Sequence, residues 1–73
     1  MPEILHEATL RLNEQTLPWR EGLTLAALLG DQQVNAEQVA TAVNGAFVPR
    51  TQREGTVLQP GDTVLTFQAI VGG

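Results

Sequence analysis

Apolar and polar residues alternate near the start of the chain, with the two-residue period of a half-buried β-strand. In "ATLRLNEQTLPW", Leu10 and Leu12 lie on one side of the segment, whereas Thr9 and Arg11 lie on the other. The polar residues "NEQ" predict a turn into a short second strand, "TLPW". Because Pro18 cannot donate a ladder hydrogen bond, we expect this second strand at a sheet edge.

The spacing changes to that of a helix in the segment "TLAALLG". Leu25, Leu28 and Leu29 stand at positions i, i+3 and i+4, which places three apolar side chains on one helical face. Thr24 is a suitable N-cap, and Gly30 is expected to end the helix. The pattern therefore predicts one amphipathic helix after the hairpin.

The second half of the chain returns to strand-like patterns. Asn35 can cap a further helical turn, "AEQ", which precedes two apolar runs divided by Asn44-Gly45, a strong hairpin signal. A turn at "PGD" then leads into the longest predicted strand, "TVLTFQAIV". One side of this strand is wholly apolar and is expected to cover the helix: Leu65, Phe67, Ala69 and Val71. The other side is mixed and is expected to face solvent or a partner: Val64, Thr66, Gln68 and Ile70.

This order of elements predicts an α+β domain. A hairpin, one helix laid across a mixed sheet and a last strand returning to its centre correspond to a ubiquitin-like β-grasp roll. The 73 residues leave room for one domain, which we assign to residues 1–71, with residues 72–73 as a Gly-Gly tail.

Composition narrows the function. The formal net charge is −4 and the four basic residues are all arginines, too few to screen a nucleic-acid backbone, so no nucleic-acid partner is expected. The chain has no cysteine, no basic-then-apolar leader pattern and no apolar stretch of about 20 residues. We therefore expect a cytoplasmic protein, monomeric alone and without a membrane partner.

The side chains offer little chemistry. His6 is the only histidine, serine and cysteine are absent, and no threonine stands beside an obvious base, so neither an enzyme nor a metal site is expected. Trp19 is expected to pack in the core or at an edge, and Arg50 and Arg53 to be solvated. The remaining reactive group is the α-carboxylate of Gly73, which is ionised at neutral pH.

The terminal glycines make that carboxylate accessible. Gly72 and Gly73 have no Cβ and can enter a narrow channel of another protein. If residues 70–73 are extended, they reach about 13 Å beyond the domain. The terminus can therefore act as the substrate of a partner enzyme.

Several segments in order resemble the sulfur-carrier proteins of thiazole biosynthesis, the ThiS family. These are "LNEQTLPW", "GLTLAALL", "VATAVNGAFVPR", "TVLQPGDTV" and a final strand ending in Gly72-Gly73. The resemblance implies a β-grasp fold and a carrier that binds no cofactor itself. It also implies that a ThiF-type adenylyltransferase uses Mg-ATP to adenylate Gly73, and that a cysteine desulfurase relay supplies the sulfur for a thiocarboxylate there. A ThiG-type thiazole synthase would then receive this sulfur.

Partner docking is a separate hypothesis. We expect partners to contact the mixed side of the last strand together with one residue of the preceding hairpin: Phe47, Val64, Thr66, Gln68, Ile70 and Val71.

Three other functions remain open. The chain is also similar to the small subunit of molybdopterin synthase, although "FQAIVGG" lacks the prolines typical of that tail. The others are a ubiquitin-like protein modifier and an interaction domain whose glycines have no role.

Overall fold

The computed structural model describes residues 8–68, which form a five-stranded sheet, one α-helix and two 3₁₀ helices. The strands are β1 (Thr9–Leu12), β2 (Gln15–Pro18), β3 (Val39–Val43), β4 (Ala46–Val48) and β5 (Thr63–Gln68). The helix α1 spans Leu25–Asp31, and the first and second 3₁₀ helices span Ala36–Gln38 and Arg50–Gly55.

The sheet is mixed, with strand order β2-β1-β5-β3-β4. The last strand, β5, pairs in parallel with β1 and antiparallel with β3, whereas both hairpins are antiparallel. The predicted α+β architecture with a central last strand is therefore confirmed. β2 lies at a sheet edge, as its proline requires.

Two turns use residues that tolerate a left-handed backbone. Asn13 has a φ of 55° in the β1–β2 turn, and Asn44 and Gly45 have φ values of 52° and 84° between β3 and β4. Positive φ at both central residues is what the predicted Asn-Gly hairpin requires. Asn44 also accepts a hydrogen bond from the backbone N–H of Thr63 at 2.9 Å, which fixes this turn to the start of β5.

The helix begins as predicted and ends one residue later. The Thr24 hydroxyl accepts a hydrogen bond from the backbone N–H of Ala27 at 3.1 Å, which caps the first turn. Gly30 does not end the helix, because Gln33 takes the left-handed conformation in its place, with a φ of 59°. The backbone N–H of Val34 then donates to the Leu29 carbonyl at 2.9 Å, which is the closing bond of a Schellman motif.

The core lies between α1 and one face of the sheet, here called the inner face. The fully buried cluster combines helix leucines with strand and loop residues: Leu10, Leu12, Leu23, Leu25, Leu28, Leu29, Val48, Leu58 and Val64. Trp19 packs against this cluster, as predicted, and its indole N–H donates to the Leu58 carbonyl at 2.8 Å. Within residues 8–68 no helix is long and apolar enough to cross a membrane.

The predicted orientation of β5 is wrong. Val64 pairs with Leu12 on one side and with Val43 on the other, and it is fully buried on the inner face. Since side chains alternate along a strand, Leu65 and Phe67 point to the opposite, outer face, and Phe67 is 52% exposed. Both sides of this strand carry apolar residues, so the sequence pattern did not distinguish them; the register with β1 and β3 does.

Candidate functional site

β5, the last described strand, is paired on both sides where it starts and on one side where it ends. β1 pairs with the beginning of β5, at Thr63 and Val64. β3 accompanies β5 as far as Gln68, which pairs with Val39. The predicted tail and the predicted contacts at Ile70, Val71, Gly72 and Gly73 lie outside the described residues.

A patch of apolar side chains occupies the outer face near this strand end. Its members follow from the register, in which Ala42 pairs with both Phe47 and Leu65, and Ala40 pairs with Phe67. Directly paired residues lie on the same face of a sheet. The outer-face patch is therefore composed of Ala40, Ala42, Phe47, Leu65 and Phe67.

The aromatic members of this patch are exposed to solvent. Phe47 is 68% exposed and Phe67 is 52% exposed, although the chain has only three aromatic residues. None of the five strands contains an aspartate or glutamate, while the whole chain carries eight. Exposed apolar residues grouped on one face are typical of an interaction surface. This face is the best candidate for contact with a partner protein.

The residues predicted to dock partners do not share one surface. Phe47 lies on the outer face, but Val64 is fully buried in the core and cannot contact a partner. Thr66 and Gln68 lie on the same side of β5 as Val64, away from Phe47. Thr66 is also engaged, since its backbone N–H donates to the Asn13 side chain at 3.0 Å. The docking hypothesis therefore needs Leu65 and Phe67 in place of Val64, Thr66 and Gln68.

Arg53 is not solvated, contrary to prediction. Its side chain is buried, and its guanidinium donates to the Thr41 hydroxyl at 3.2 Å, the Ala36 carbonyl at 2.8 Å and the Val39 carbonyl at 2.7 Å. Burial lowers the pKa of Arg53, and the nearby charge of Arg50 lowers that pKa further. Nothing in the segment "PRTQREG" distinguishes this arginine from its exposed neighbour, so sequence reasoning missed it.

A groove of about 480 Å³ opens between α1 and the second 3₁₀ helix, on the helix side of the domain. Its floor includes Ala26 and Leu29, and Arg50 stands at its side. Arg50 is exposed, as predicted, and donates to the Glu37 carbonyl at 3.1 Å.

Within residues 8–68 no three potential ligands among His, Cys, Asp and Glu come together as a metal site would require. The described part of the domain thus offers an outer-face patch and a groove as surfaces that a partner can contact.

Comparison with known proteins agrees with this geometry. The family model described as "ThiS family" matches residues 3–73, nearly the whole chain and including both terminal glycines. The chain belongs to the ThiS family. It is 36% identical over 61 residues to the sulfur carrier protein ThiS of Escherichia coli (strain K12), which is 84% of this chain and 92% of that protein.

A solved structure supports the same family. The chain is similar to the crystal structure of the thiamine biosynthesis protein ThiS from Geobacter metallireducens, with a TM-score of 0.78 and 28% identity. The match covers 89% of this chain and 99% of that one. The predicted β-grasp fold and the predicted family are both confirmed.

Two features of this ThiS-family chain escaped the sequence prediction. No sequence pattern indicated the Arg53 hydrogen bonds, but one did indicate the outer-face patch. In "VATAVNGAFV" the Asn44-Gly45 turn sets a register that places Ala42 opposite Phe47. Small alanines stand opposite the two phenylalanines, whereas the larger Val39, Thr41 and Val43 occupy the alternate positions of β3. This difference in size indicates which side of the sheet is packed against the helix.

Proposed function

We propose that this chain is a sulfur carrier for thiazole formation in thiamin biosynthesis, with Gly73 as the residue that bears the sulfur. The observation that carries the proposal is the family match over residues 3–73, which includes Gly72 and Gly73. The β-grasp fold is consistent with it, and β5, the last described strand, ends at Gln68, five positions before Gly73 in the sequence. The chain acts as a cosubstrate and not as an enzyme.

The chemistry takes place at one carboxylate. An oxygen of the Gly73 carboxylate attacks the α-phosphorus of Mg-ATP held by a ThiF-type adenylyltransferase, and pyrophosphate leaves. A persulfide supplied by a cysteine desulfurase relay then attacks the acyl carbon and displaces AMP, which gives an acyl disulfide. A thiol reductant cleaves the S–S bond of that acyl disulfide and leaves with the relay's sulfur as a disulfide. The product is a thiocarboxylate. The chain itself binds no cofactor in this cycle.

The composition of the chain restricts where sulfur can be held. Cysteine is absent, so no side chain can carry a persulfide. Lysine is absent as well, so no ε-amino group of a second copy can capture the activated acyl group as an amide. Both absences suit a carrier that must deliver sulfur from its terminus to a ThiG-type thiazole synthase in the cytoplasm.

The outer-face patch is the proposed docking surface for the adenylyltransferase. Phe67 stands near the end of β5 and six positions before Gly73 in the sequence, so a partner that binds the patch contacts the end of the last described strand. Phe47 on the neighbouring hairpin extends the surface by one strand beyond β3. We propose that this surface meets an apolar surface of the adenylyltransferase, with Ile70 and Val71 continuing the contact towards the active site.

The decisive experiment is an intact-mass measurement after incubation with Mg-ATP, a ThiF-type adenylyltransferase and a persulfide source. We expect the mass increase that corresponds to replacement of one oxygen by sulfur, located at Gly73 by fragmentation. A chain lacking Gly73 is the matched control and should gain no mass. No increase in the full chain, under conditions that charge the Escherichia coli carrier, would contradict the proposal.

The charged protein then separates the alternatives. Sulfur transfer to a thiazole synthase, and not to the large subunit of molybdopterin synthase, is expected for a thiazole carrier. A ubiquitin-like modifier would instead give an isopeptide bond between Gly73 and a lysine of a target protein, visible as a larger conjugate on a denaturing gel.

A further inference from the structure

Arg11 is the one charged residue in the five described strands. It lies on β1 between Leu10 and Leu12, which are both buried on the inner face, so its side chain points to the outer face. The register agrees with this position, because Arg11 pairs with Thr16 on β2 and with Thr63 on β5. These three residues form a polar row across the outer face, and Arg11 at its centre is exposed.

The polar row adjoins the outer-face patch. Thr63 stands two positions before Leu65 on β5, and both side chains point to the outer face. Adjacent strands are about 4.8 Å apart and rise by about 3.3 Å per residue, so the Cα atoms of Arg11 and Leu65 are about 8 Å apart. The outer face is therefore one continuous surface, which is cationic at Arg11 and apolar from Leu65 to Phe67.

Within residues 8–68 no carboxylate lies within ion-pair distance of Arg11. The ion pair found in this part of the chain joins Arg20 to Asp31, the last residue of α1, at 3.0 Å. The carboxylate next to the polar row in sequence belongs to Asp62, and it accepts instead from the Asn44 side chain at 2.9 Å and from a backbone N–H of its own turn at 2.8 Å. The formal net charge of the chain is −4, yet the five strands together carry one cation and no anion.

A partner that covers the outer-face patch also has to accommodate this cation. A specific interface involves about 20 residues on each side, many more than the five of the patch, so the contact extends onto neighbouring rows of the same face. A guanidinium that is covered without a counter-charge loses its hydration at a large cost. A carboxylate opposite the guanidinium compensates for this loss, because the two groups form parallel hydrogen bonds. The surface that complements this face is therefore apolar with an acidic side chain beside it.

We propose that Arg11 forms an ion pair with an aspartate or glutamate of the adenylyltransferase, next to an apolar area of that enzyme that contacts the outer-face patch. This inference rests on the proposed carrier function. The cation lies on β1, whereas the two phenylalanines lie on β4 and β5, so the charge and the apolar contact together define one orientation of the partner. Opposite charges also accelerate association, and salt weakens that effect.

The first test compares Arg11→Gln with Arg20→Gln, which removes the same charge from an exposed arginine that is paired with the helix. Circular dichroism should show that both variants are folded, since both side chains are exposed. For Arg11→Gln we expect the Kd for the adenylyltransferase to rise by about fivefold at low ionic strength. At about 0.5 M salt the difference from the wild-type chain should fall below about twofold, because salt screens exposed charges. Arg20→Gln should stay within about twofold of the wild-type Kd in both conditions.

The second test locates the carboxylate by cross-linking. The chain contains no lysine, so Arg11→Lys keeps the positive charge and carries the only ε-amino group. A carbodiimide joins an amine directly to a carboxylate as an amide and is itself converted to a urea, so no spacer is added. We expect an amide between position 11 and an aspartate or glutamate of the adenylyltransferase, identified by mass spectrometry of the cross-linked peptides. Arg20→Lys is the matched control, and its amine should join to Asp31 of the same chain.

The outcomes are distinct. Salt-sensitive weakening in Arg11→Gln, together with the cross-link from position 11 to the enzyme, supports the ion pair. Wild-type binding by Arg11→Gln at low ionic strength, or an equal loss in Arg20→Gln, overturns it and leaves Arg11 as a solvated surface charge. A reaction that joins Arg20→Lys to Asp31 but gives no cross-link from position 11 to the enzyme also overturns it. If the wild-type chain itself is not adenylated, the proposed function has failed, and that result is recognised before any variant is compared.

Discussion

Replacing Phe67 by alanine tests the outer-face patch as the surface that binds the adenylyltransferase. Phe67 is 52% exposed and belongs to no buried cluster, so its exposed part is available to a partner. A phenylalanine side chain buries roughly 150–250 Å² when fully covered, and the exposed part of Phe67 therefore offers about 100 Å². At about 25 cal/mol per Å², covering that area contributes about 2.5 kcal/mol.

Alanine retains a small part of this contact, so we expect a loss of about 2 kcal/mol in binding free energy. That loss corresponds to a rise of about 30-fold in Kd, because each 1.4 kcal/mol is a factor of about ten. Isothermal titration of the folded variant with the adenylyltransferase measures it directly. Circular dichroism should show the same spectrum as the wild-type chain, since about half of the side chain is already in water.

Val57 supplies a matched control. It is 51% exposed, almost the same fraction as Phe67, but it bridges to Thr24 next to the helix and not to the outer face. Val57→Ala should leave Kd within about twofold of the wild-type value. If Phe67→Ala also binds within twofold, or if Val57→Ala weakens binding as much, the outer-face patch is not the docking surface.

Two further predictions concern stability and need only thermal or urea unfolding. Thr24→Ala removes the N-cap of α1 and should lower the free energy of unfolding by about 1 kcal/mol. Thr24→Asp should keep most of the wild-type stability, because its carboxylate also caps the helix. Equal stability of the wild-type chain and both variants would contradict the capping role. Trp19→Phe leaves the Leu58 carbonyl without its indole donor and should cost about 1–3 kcal/mol. That cost corresponds to a fall in Tm of roughly 4–24 °C. An unchanged Tm would show that this hydrogen bond adds no net stability.

Local signals in the sequence predicted most of the elements. The Asn44-Gly45 turn, the Thr24 cap and the leucine spacing of α1 each depend on residues close together in the chain, and each was confirmed. The central position of β5 also followed, because a short chain with this order of elements has few alternative topologies.

The errors concern long-range relations. Which side of β5 is buried depends on its register with β1 and β3, and each side carries apolar residues, so Val64 was placed outside and Phe67 inside. The burial of Arg53 depends on three acceptors that lie 12 to 17 residues away in sequence. No local pattern encodes such contacts, and the role predicted for the terminal glycines stays a prediction.

The place of β5 in the sheet also has a consequence during synthesis on the ribosome. β5 is the only connection between the β1–β2 hairpin and the β3–β4 hairpin among the described strands. A nascent chain that ends before Thr63 therefore possesses two separate hairpins, neither of which makes a stable sheet alone. The five-stranded sheet can therefore form only after the last described strand, Thr63–Gln68, is free to pair with both hairpins. A chain that is terminated before Thr63 therefore keeps its segments exposed and accessible to proteases.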